Sequence, residues 1–384
     1  MPRLCTTIMP NVLDIRRRIR SVKNTRQITK AMKMISAARL RRAQERALSA
    51  RPYAQMLANV LKSLVSRAEI FDPETGEPRH PLLARRPENN VLLIVVSGDR
   101  GLAGAFNTNV MKAALRFVQS KGGKNIDVEA VGRKARDFFK RRYPVNYEEE
   151  KQDKQIAKQV DAEQKSPEHV FHGDENPEDS KAHYRLGPIQ LVGERVGMLA
   201  KMSFTDAREL SESVVERYTS ERVDAVYVVY NEFKSVISQR LVVEQVLPIK
   251  QIGVAEIAQA EEMTEEDRRH AAEVAGHAGV QARAADTTGI DQQAAGFAVS
   301  ADYIYEQPAE ELFHDLLPKY VAVQVYRAMV ESVAAEHAAR MTAMDSATSA
   351  ASDMIDSLTL KMNRARQAAI TKEIIEIVSG AAAL

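Results

Sequence analysis

Hydrophobic and polar positions divide this chain into a helical segment at each end and a middle part with a different pattern. Residues 11–67 contain no glycine, and residues 308–378 contain no glycine and no proline after Pro318. Both segments are rich in helix formers, so each predicts one helix of roughly 85–100 Å, at about 1.5 Å per residue. A compact core does not bury helices of that length. We therefore predict that the two helices lie side by side, the alternative being a buried core helix.

The spacing of apolar and small residues supports this pairing. In the C-terminal segment such residues recur in alternating steps of three and four, the spacing of a coiled-coil seam: Met341, Met344, Thr348, Ala351, Ile355, Leu358, Met362, Ala365 and Ala369. The N-terminal segment offers a less regular stripe, made of Ile15, Ile19, Val22, Ile28, Met32 and Ile35. Small seam residues allow the two backbones to approach closely.

The middle part alternates between strand and helix patterns. The run VLLIVV at 91–96 is apolar without interruption, which is typical of a parallel strand buried on both faces. Further strands are predicted at 126–131, 224–233 and 236–249, and helices at 107–121, 133–143 and 204–220. This alternation predicts a doubly wound α/β sheet.

Two stretches interrupt the alternation, at about 148–190 and 251–300. The first is highly charged with few large apolar groups, and the second is rich in alanine and acidic residues. Neither contains enough apolar surface for a core of its own, so both are predicted to be solvated insertions. Within the second, residues 264–278 predict a short exposed helix.

Composition excludes several classes of site. The 54 basic and 52 acidic residues leave a net charge of +2, and Cys5 is the single cysteine, so no internal disulfide and no cysteine-based metal cluster can form. His169, His172 and His183 do not have the spacing of a metal-ligand set. No run of about 18 apolar residues and no signal-peptide pattern occurs. We expect no metal site and no membrane-spanning helix.

A glycine-rich turn, GDRGLAGAFN at 98–107, follows the first strand and raises the question of a nucleotide site. The phosphate-loop pattern requires lysine and a hydroxyl residue after its last glycine, and the dinucleotide pattern requires glycines two and then three apart. Neither is present. An oxidoreductase with a nicotinamide cofactor, using Asp127 or Glu129 for the ribose, stays open as an alternative. We expect instead a tight turn with Asp99 and Arg100 exposed for a partner.

The first helix is strongly basic. Residues 14–51 contain thirteen arginines and lysines against two acids, Asp14 and Glu45. Nucleic acid is one candidate partner, but no aromatic residues are interleaved for base stacking. An acidic protein surface around a protruding helix pair is the favoured partner.

Several motifs resemble those of the gamma subunit of F-type ATP synthases. The terminal segments contain IRRRIRSVKNTRQITKAMKMISAARLRRAQ and EHAARMTAMDSATSAASDMIDSLTLKMNRARQAAITKEIIEIVSG, and the middle part contains SGDRGLAGAFN, YVVYNEFKSVISQ and DYIYEQP. The resemblance covers most of the chain apart from the two insertions and about ten residues at the start.

This resemblance implies a long antiparallel coiled coil of the N- and C-terminal helices and a central Rossmann-like α/β foot domain with two insertions. The implied division is 1–67, 89–306 and 307–384. It implies a non-catalytic rotating shaft that couples proton-driven rotation of a c-ring to the beta subunits. The implied partners are the alpha and beta subunits, epsilon and the c-ring, with no cofactor and no nucleic acid. Membrane contact through the Fo sector alone implies a peripheral protein on the cytoplasmic face of a bacterial inner membrane.

Individual residues match the motifs of that family. Met32 and Lys33 resemble its collar, which passes an acidic segment of beta. Arg366, Gln367 and Thr371 resemble its polar contacts with a loop of one beta subunit. The resemblance also implies foot contacts to the c-ring and epsilon at Tyr303, Tyr305 and Glu306. The apolar residues 374–384 would lie in a sleeve formed by the alpha and beta subunits.

Overall fold

The computed structural model describes residues 12–65, 78–146, 185–280 and 306–382, apart from 201, 251, 253 and 255. The two terminal helices are α1 (Val12–Val65) and α6 (Ala309–Ala382). The remaining helices are α2 (Phe106–Ser120), α3 (Arg133–Lys140), α4 (Phe204–Thr219) and α5 (Glu265–His277). The strands are β1 (Asn90–Val96), β2 (Asn125–Val131), β3 (Ile189–Arg195), β4 (Ala225–Ser235), β5 (Ser238–Leu247) and β6 (Glu256–Glu262). The predicted fold class is confirmed.

The six strands form one sheet in the order β3-β2-β1-β4-β5-β6. The first four are parallel, and β5 and β6 continue the sheet antiparallel to their neighbours. Strand β1 lies in the interior of the sheet, and six of its seven residues are buried, which explains its uninterrupted apolar sequence. Residues Val91, Leu93 and Val95 contact the layer of α2 and α3. Leu92, Ile94 and Val96 belong to the opposite core, with α4 and the terminal helices.

Helices α1 and α6 pack against each other in antiparallel orientation. Ile15 and Ile19 contact Ile355 near one end of the pair, and Leu40 lies in one cluster with Met341 farther along. Between these clusters the Thr348 hydroxyl donates to the Thr29 hydroxyl at 2.7 Å. One end of the helix pair extends beyond the sheet, and the other end packs against the sheet.

The seam of α1 differs from the predicted apolar stripe. Ile28 and Ile35 are 59% and 54% exposed. The buried positions of the first half of α1 instead follow regular heptad steps through small and polar residues, including Thr29, Ser36, Ala37, Leu40, Ala43 and Ala47. The prediction for Ile28 and Ile35 is wrong because the seam runs through the next residues, Thr29 and Ser36, and one residue corresponds to about 100° of rotation away from the face that meets α6. Ala369 is also exposed.

The second stretch taken for an insertion contributes to the fold in its described part. Strand β6 pairs with β5 and extends the sheet. Helix α5 begins at Thr264, whose hydroxyl accepts from the Asp267 amide at 3.2 Å. Ala271, Val274 and Ala275 are buried against α1 and α6. The predicted helix is confirmed, but its exposure is wrong for one face, because small side chains on that face pack closely against small residues of α1 and α6. Residues 148–184 and 281–300 lie outside the described residues.

Candidate functional site

The exposed surface of the paired helices is the largest candidate site, and its α1 side is basic. Ten of its cationic side chains are exposed: Arg16, Arg17, Arg18, Arg20, Lys23, Lys30, Arg39, Arg41, Arg42 and Arg46. Among the ion pairs of the described residues, Arg17 lies 3.8 Å from Asp14, a pair too exposed to neutralise much of this charge. The surface therefore offers a positive potential to an acidic partner.

Met32 and Lys33, the predicted collar residues, are both half-buried. The Lys33 ammonium donates to Asp345 of α6 at 2.5 Å, with 16% and 22% of the two side chains exposed. Lys33 occupies a heptad position of the seam, so its first role within this chain is to join the two helices. Met34, two residues beyond Met32, is 60% exposed.

The predicted polar contacts lie on the last turns of α6, where every residue from Arg366 to Gly380 is exposed. The Thr371 hydroxyl donates to the Gln367 carbonyl at 2.9 Å, so the Arg366 side chain and the Gln367 amide are presented outward. Large apolar side chains share these turns, and each is 48–70% exposed: Ile370, Ile374, Ile375, Ile377 and Val378. A contiguous exposed apolar patch with polar neighbours marks a protein interaction site.

The third group of predicted residues is described only in part. Glu306 is exposed and lies three residues before the first residue of α6, whereas Tyr303 and Tyr305 lie outside the described residues. The structure therefore brings together Arg366, Gln367 and Thr371 on one stretch of helix, and it places Met32 and Lys33 far along the coil from them. These assignments to partner subunits stay predictions.

The glycine turn after β1 packs against α6. A Cβ at Gly98 would lie 2.7 Å from the Glu336 Oε1, and one at Gly104, whose φ is +55°, would lie 3.6 Å from the Ala343 Cβ. The prediction that Asp99 is free for a partner is wrong, because its Oδ1 accepts from the amides of Arg133 and Gly197 at 2.9 and 3.1 Å. The turn is thus tied to the ends of β2 and β3.

The two acids considered for a ribose are also used within the chain. Asp127 accepts from Arg185 at 2.8 Å and from Gln190 at 3.0 Å. Glu129 is buried and accepts from Arg195 at 3.1 Å, with Arg217 at 3.8 Å. Neither carboxylate is available to a ribose hydroxyl in this arrangement.

A buried polar network between the sheet and α6 was not predicted from the sequence. Arg327 donates to both oxygens of Glu244 at 2.7 Å, and the Tyr230 hydroxyl donates to the same carboxylate at 2.6 Å. Glu331, one turn beyond Arg327, is 7% exposed and its Oε2 has no hydrogen-bond partner. Burial raises the pKa of Glu331 to about 7. A glutamate on an otherwise apolar helix face was the available signal.

Membrane-spanning helices and metal sites are two further features to consider in the described residues. Among the described residues, no helix combines the length and the apolar character needed to cross a bilayer. No three histidine, cysteine or acidic side chains of the described ranges are arranged to hold a metal ion. His169, His172 and His183 lie outside those ranges.

Comparison with known proteins gives a consistent result. The family model described as ATP synthase matches residues 11–384. The ATP synthase gamma chain of Solibacter usitatus is 44% identical over 98% of this chain and 99% of its own length. The gamma chain of Anaeromyxobacter sp. strain Fw109-5 is 39% identical over 98% of this chain and its entire length.

Two solved structures also align with this chain. They are the central stalk and c-ring of the Tetrahymena thermophila mitochondrial ATP synthase, with 18% identity and a TM-score of 0.46, and the Euglena gracilis mitochondrial ATP synthase, with 16% identity and a TM-score of 0.48. The alignments cover 83% and 97% of this chain, and 99% and 94% of the other chains. On the strength of the family model and the bacterial relatives, this chain belongs to the family of ATP synthase gamma chains.

Proposed function

We propose that this chain is the central rotating shaft of a proton-translocating F-type ATP synthase. In this proposal the coil of α1 and α6 stands inside a ring of alternating alpha and beta subunits, and rotation of a c-ring turns it. The observation that carries the proposal is the end of α6, which continues as exposed helix from Arg366 to Gly380 with an apolar face. An apolar surface makes few directional bonds, so a surrounding sleeve allows it to turn.

The partners follow from the same surfaces. The basic side of α1 suits the acidic segment of a beta subunit at the collar formed by Met32 and Lys33, and Arg366, Gln367 and Thr371 suit polar groups of a beta loop. We assign the contacts to the c-ring and epsilon to Tyr303, Tyr305 and Glu306. The chain divides into shaft segments 1–67 and 307–384 and a foot domain 89–306, which performs no chemistry itself.

The proposed location is the cytoplasmic face of a bacterial inner membrane, with membrane contact through the Fo sector alone.

Two other functions, a nicotinamide-dependent oxidoreductase and a nucleic-acid adaptor, are each supported by a single stretch of sequence. The internal use of Asp127 and Glu129 weighs against the first. The absence of aromatic residues between the exposed cations of α1 weighs against the second.

The upper contact is tested by the substitution Arg366→Lys in the assembled enzyme. A guanidinium donates two parallel hydrogen bonds to a carboxylate, which an ammonium cannot reproduce although the charge is kept. We expect ATP synthesis in reconstituted vesicles to fall roughly threefold or more, which corresponds to about 0.7 kcal/mol or more of lost interaction free energy. A hydrogen bond to a charged group contributes about 1.5–3 kcal/mol, so the smallest expected loss is part of one such bond.

Arg364→Lys is the matched control, because Arg364 is exposed two residues earlier and points to a different side of the helix. Its synthesis rate should stay near that of the wild type. Equal rates for Arg366→Lys and wild type would show that Arg366 does not grip the beta subunit.

A further inference from the structure

A cavity of about 400 Å³ opens between the paired helices and the loops at the carboxyl ends of β1 and β3. In open α/β sheets this edge is where ligands bind, outside the carboxyl ends of parallel strands and next to the point where strand order reverses. Here the order reverses at β1, whose neighbours are β2 and β4. The cavity therefore occupies the position of a ligand site, although the glycine turn itself is filled by α6.

The walls of the cavity are strongly basic. Five arginines from three parts of the chain line it: Arg39, Arg42 and Arg46 of α1, Arg100 of the turn after β1, and Arg340 of α6. Asp99 and Glu336 are the acidic residues of the same lining, so five cations and two anions leave a charge of +3 with His337 neutral. An excess of positive charge in the lining of a cleft concentrates anions there.

The two carboxylates do not neutralise the four arginines of the lining other than Arg340. Glu336 accepts from Arg340 at 2.5 Å, and Asp99 accepts from two backbone amides. Within the described ranges, no ion pair is formed by Arg39, Arg42, Arg46 or Arg100, while Arg340 already has its partner. Four guanidinium groups thus remain to meet a ligand.

The pKa of His337 depends on the electrostatic potential inside the cavity. It is half-buried, and its Nδ1 lies 3.3 Å from the Arg340 Nη1. Burial and the positive charges of Arg340 and Arg39 lower the pKa of His337 to about 4. An anion that neutralised these arginines would make protonation of the ring easier.

We propose that this cavity binds a multivalent phosphate anion, held by the forked guanidinium groups of Arg39, Arg42, Arg46 and Arg100. Arginine suits this task because its planar donors match pairs of phosphate oxygens. A concave site lined by arginines of both α1 and the turn after β1 favours a small anion over a protein surface. The proposal goes beyond the shaft function and does not depend on it.

The phosphate groups can come from a free polyphosphate or from a nucleotide. A second cavity of about 850 Å³ shares Arg46 and Val330 with the first and is lined by Tyr53, Phe204 and Tyr326. Aromatic side chains of this kind stack with a nucleobase. A nucleoside diphosphate would place its base there and its phosphates among the arginines.

The experiment uses the purified full-length chain at fixed ionic strength. Calorimetry measures the binding of inorganic phosphate, pyrophosphate, tripolyphosphate and ADP, and NMR of histidine labelled at Cε1 follows the titration of His337. We expect pyrophosphate to bind more tightly than phosphate and to raise the pKa of His337 by about one unit or more. ADP binding at least tenfold tighter than pyrophosphate would assign the ligand as a nucleotide, and comparable affinities would assign it as free polyphosphate.

The variants separate a built site from a general polycation. Arg42→Gln combined with Arg46→Gln should weaken pyrophosphate at least tenfold, because two charge-assisted contacts are lost. Arg16→Gln combined with Arg17→Gln removes the same charge from an exposed part of α1 remote from the cavity and should change affinity less than twofold. Equal weakening by both pairs, no measurable binding, or a His337 pKa that does not move with pyrophosphate would each overturn the proposal.

Discussion

The substitution Gly132→Ala is expected to destabilise the central α/β domain by about 4 kcal/mol. Gly132 joins β2 to α3 with φ +99°, and a Cβ built there would lie 2.0 Å from the backbone oxygen of Ser97. Its amide also donates to the Arg195 carbonyl at 2.8 Å. The residue cannot move aside without breaking the contact between the ends of β2 and β3. Urea unfolding of the purified chain measures the loss.

Gly197→Ala is the control for this prediction. Gly197 also has a positive φ, +83°, but nothing lies within 4 Å of a Cβ added there. That substitution should cost only the left-handed conformation, about 1–2 kcal/mol. If the two variants lose the same stability, the close approach at Ser97 does not matter. A Gly132→Ala chain that fails to fold while Gly197→Ala folds would be the extreme form of the expected result.

The substitution Glu331→Gln is expected to stabilise the chain at pH 8 by about 2–3 kcal/mol and to change little at pH 4. Burial raises the pKa of Glu331 from its ordinary value of 4.5 to about 7. A carboxyl whose pKa is raised on folding has its full stability below pH 4.5 and loses it as the pH rises towards 7. Above that range the folded chain holds an ionised carboxylate whose Oε2 has no hydrogen-bond partner, whereas glutamine carries no charge.

The charged groups around Glu331 come from several elements: Arg327 of the same helix, Arg51 of α1, Glu232 of β4 and Glu244 of β5. Arg327 is committed to Glu244 by two hydrogen bonds of 2.7 Å, which leaves Glu331 as the unsatisfied member. Burial lowers the pKa of both His80 and His337 to about 4, with His314 acting on the first and arginines on the second. Both histidines therefore reduce the stability of the folded chain as the pH falls from 6.5 towards 4. Because these rings titrate in both proteins, the difference between variant and wild type isolates Glu331.

Unfolding free energies at pH 4 and pH 8 test this prediction. Glu212→Gln is the control, since Glu212 is 62% exposed on α4 beside Arg208 and should show no rise in stability with pH. A stability difference between Glu331→Gln and wild type that is constant with pH would mean that Glu331 does not become ionised at a cost in the folded chain.

The course of the two terminal helices and the interior strand could be predicted from local pattern alone. Residues 11–67 and 308–378 lack glycine, and the helices observed are Val12–Val65 and Ala309–Ala382. The apolar run at 91–96 became β1, between β2 and β4. These features depend on backbone propensity and on period, which neighbouring residues in the chain already express.

The register of the coil could be predicted for α6, where each predicted seam residue from Met341 to Ala365 is buried or half-buried, but only in part for α1. Ile15, Ile19 and Ile355 are buried as their spacing suggests. Thr29 and Ser36 also occupy the seam, although a hydrophobic pattern passes over them, while Ile28 and Ile35 face outward. Which residues of α1 are buried depends on which face of the helix meets α6, and only the packing of the two helices decides that face.

Sequence alone determined the helical ends, the strand-and-helix alternation, the basic character of α1 and the family motifs, because each is carried by residues adjacent or regularly spaced in the chain. Tertiary structure decided that one face of α5 is buried, that Asp99 accepts hydrogen bonds from two other turns, and that Oε2 of Glu331 has no hydrogen-bond partner. It also brought Arg39, Arg100 and Arg340 to one cavity. Burial and charge neighbours arise from elements far apart in sequence, and no local pattern records which of them meet.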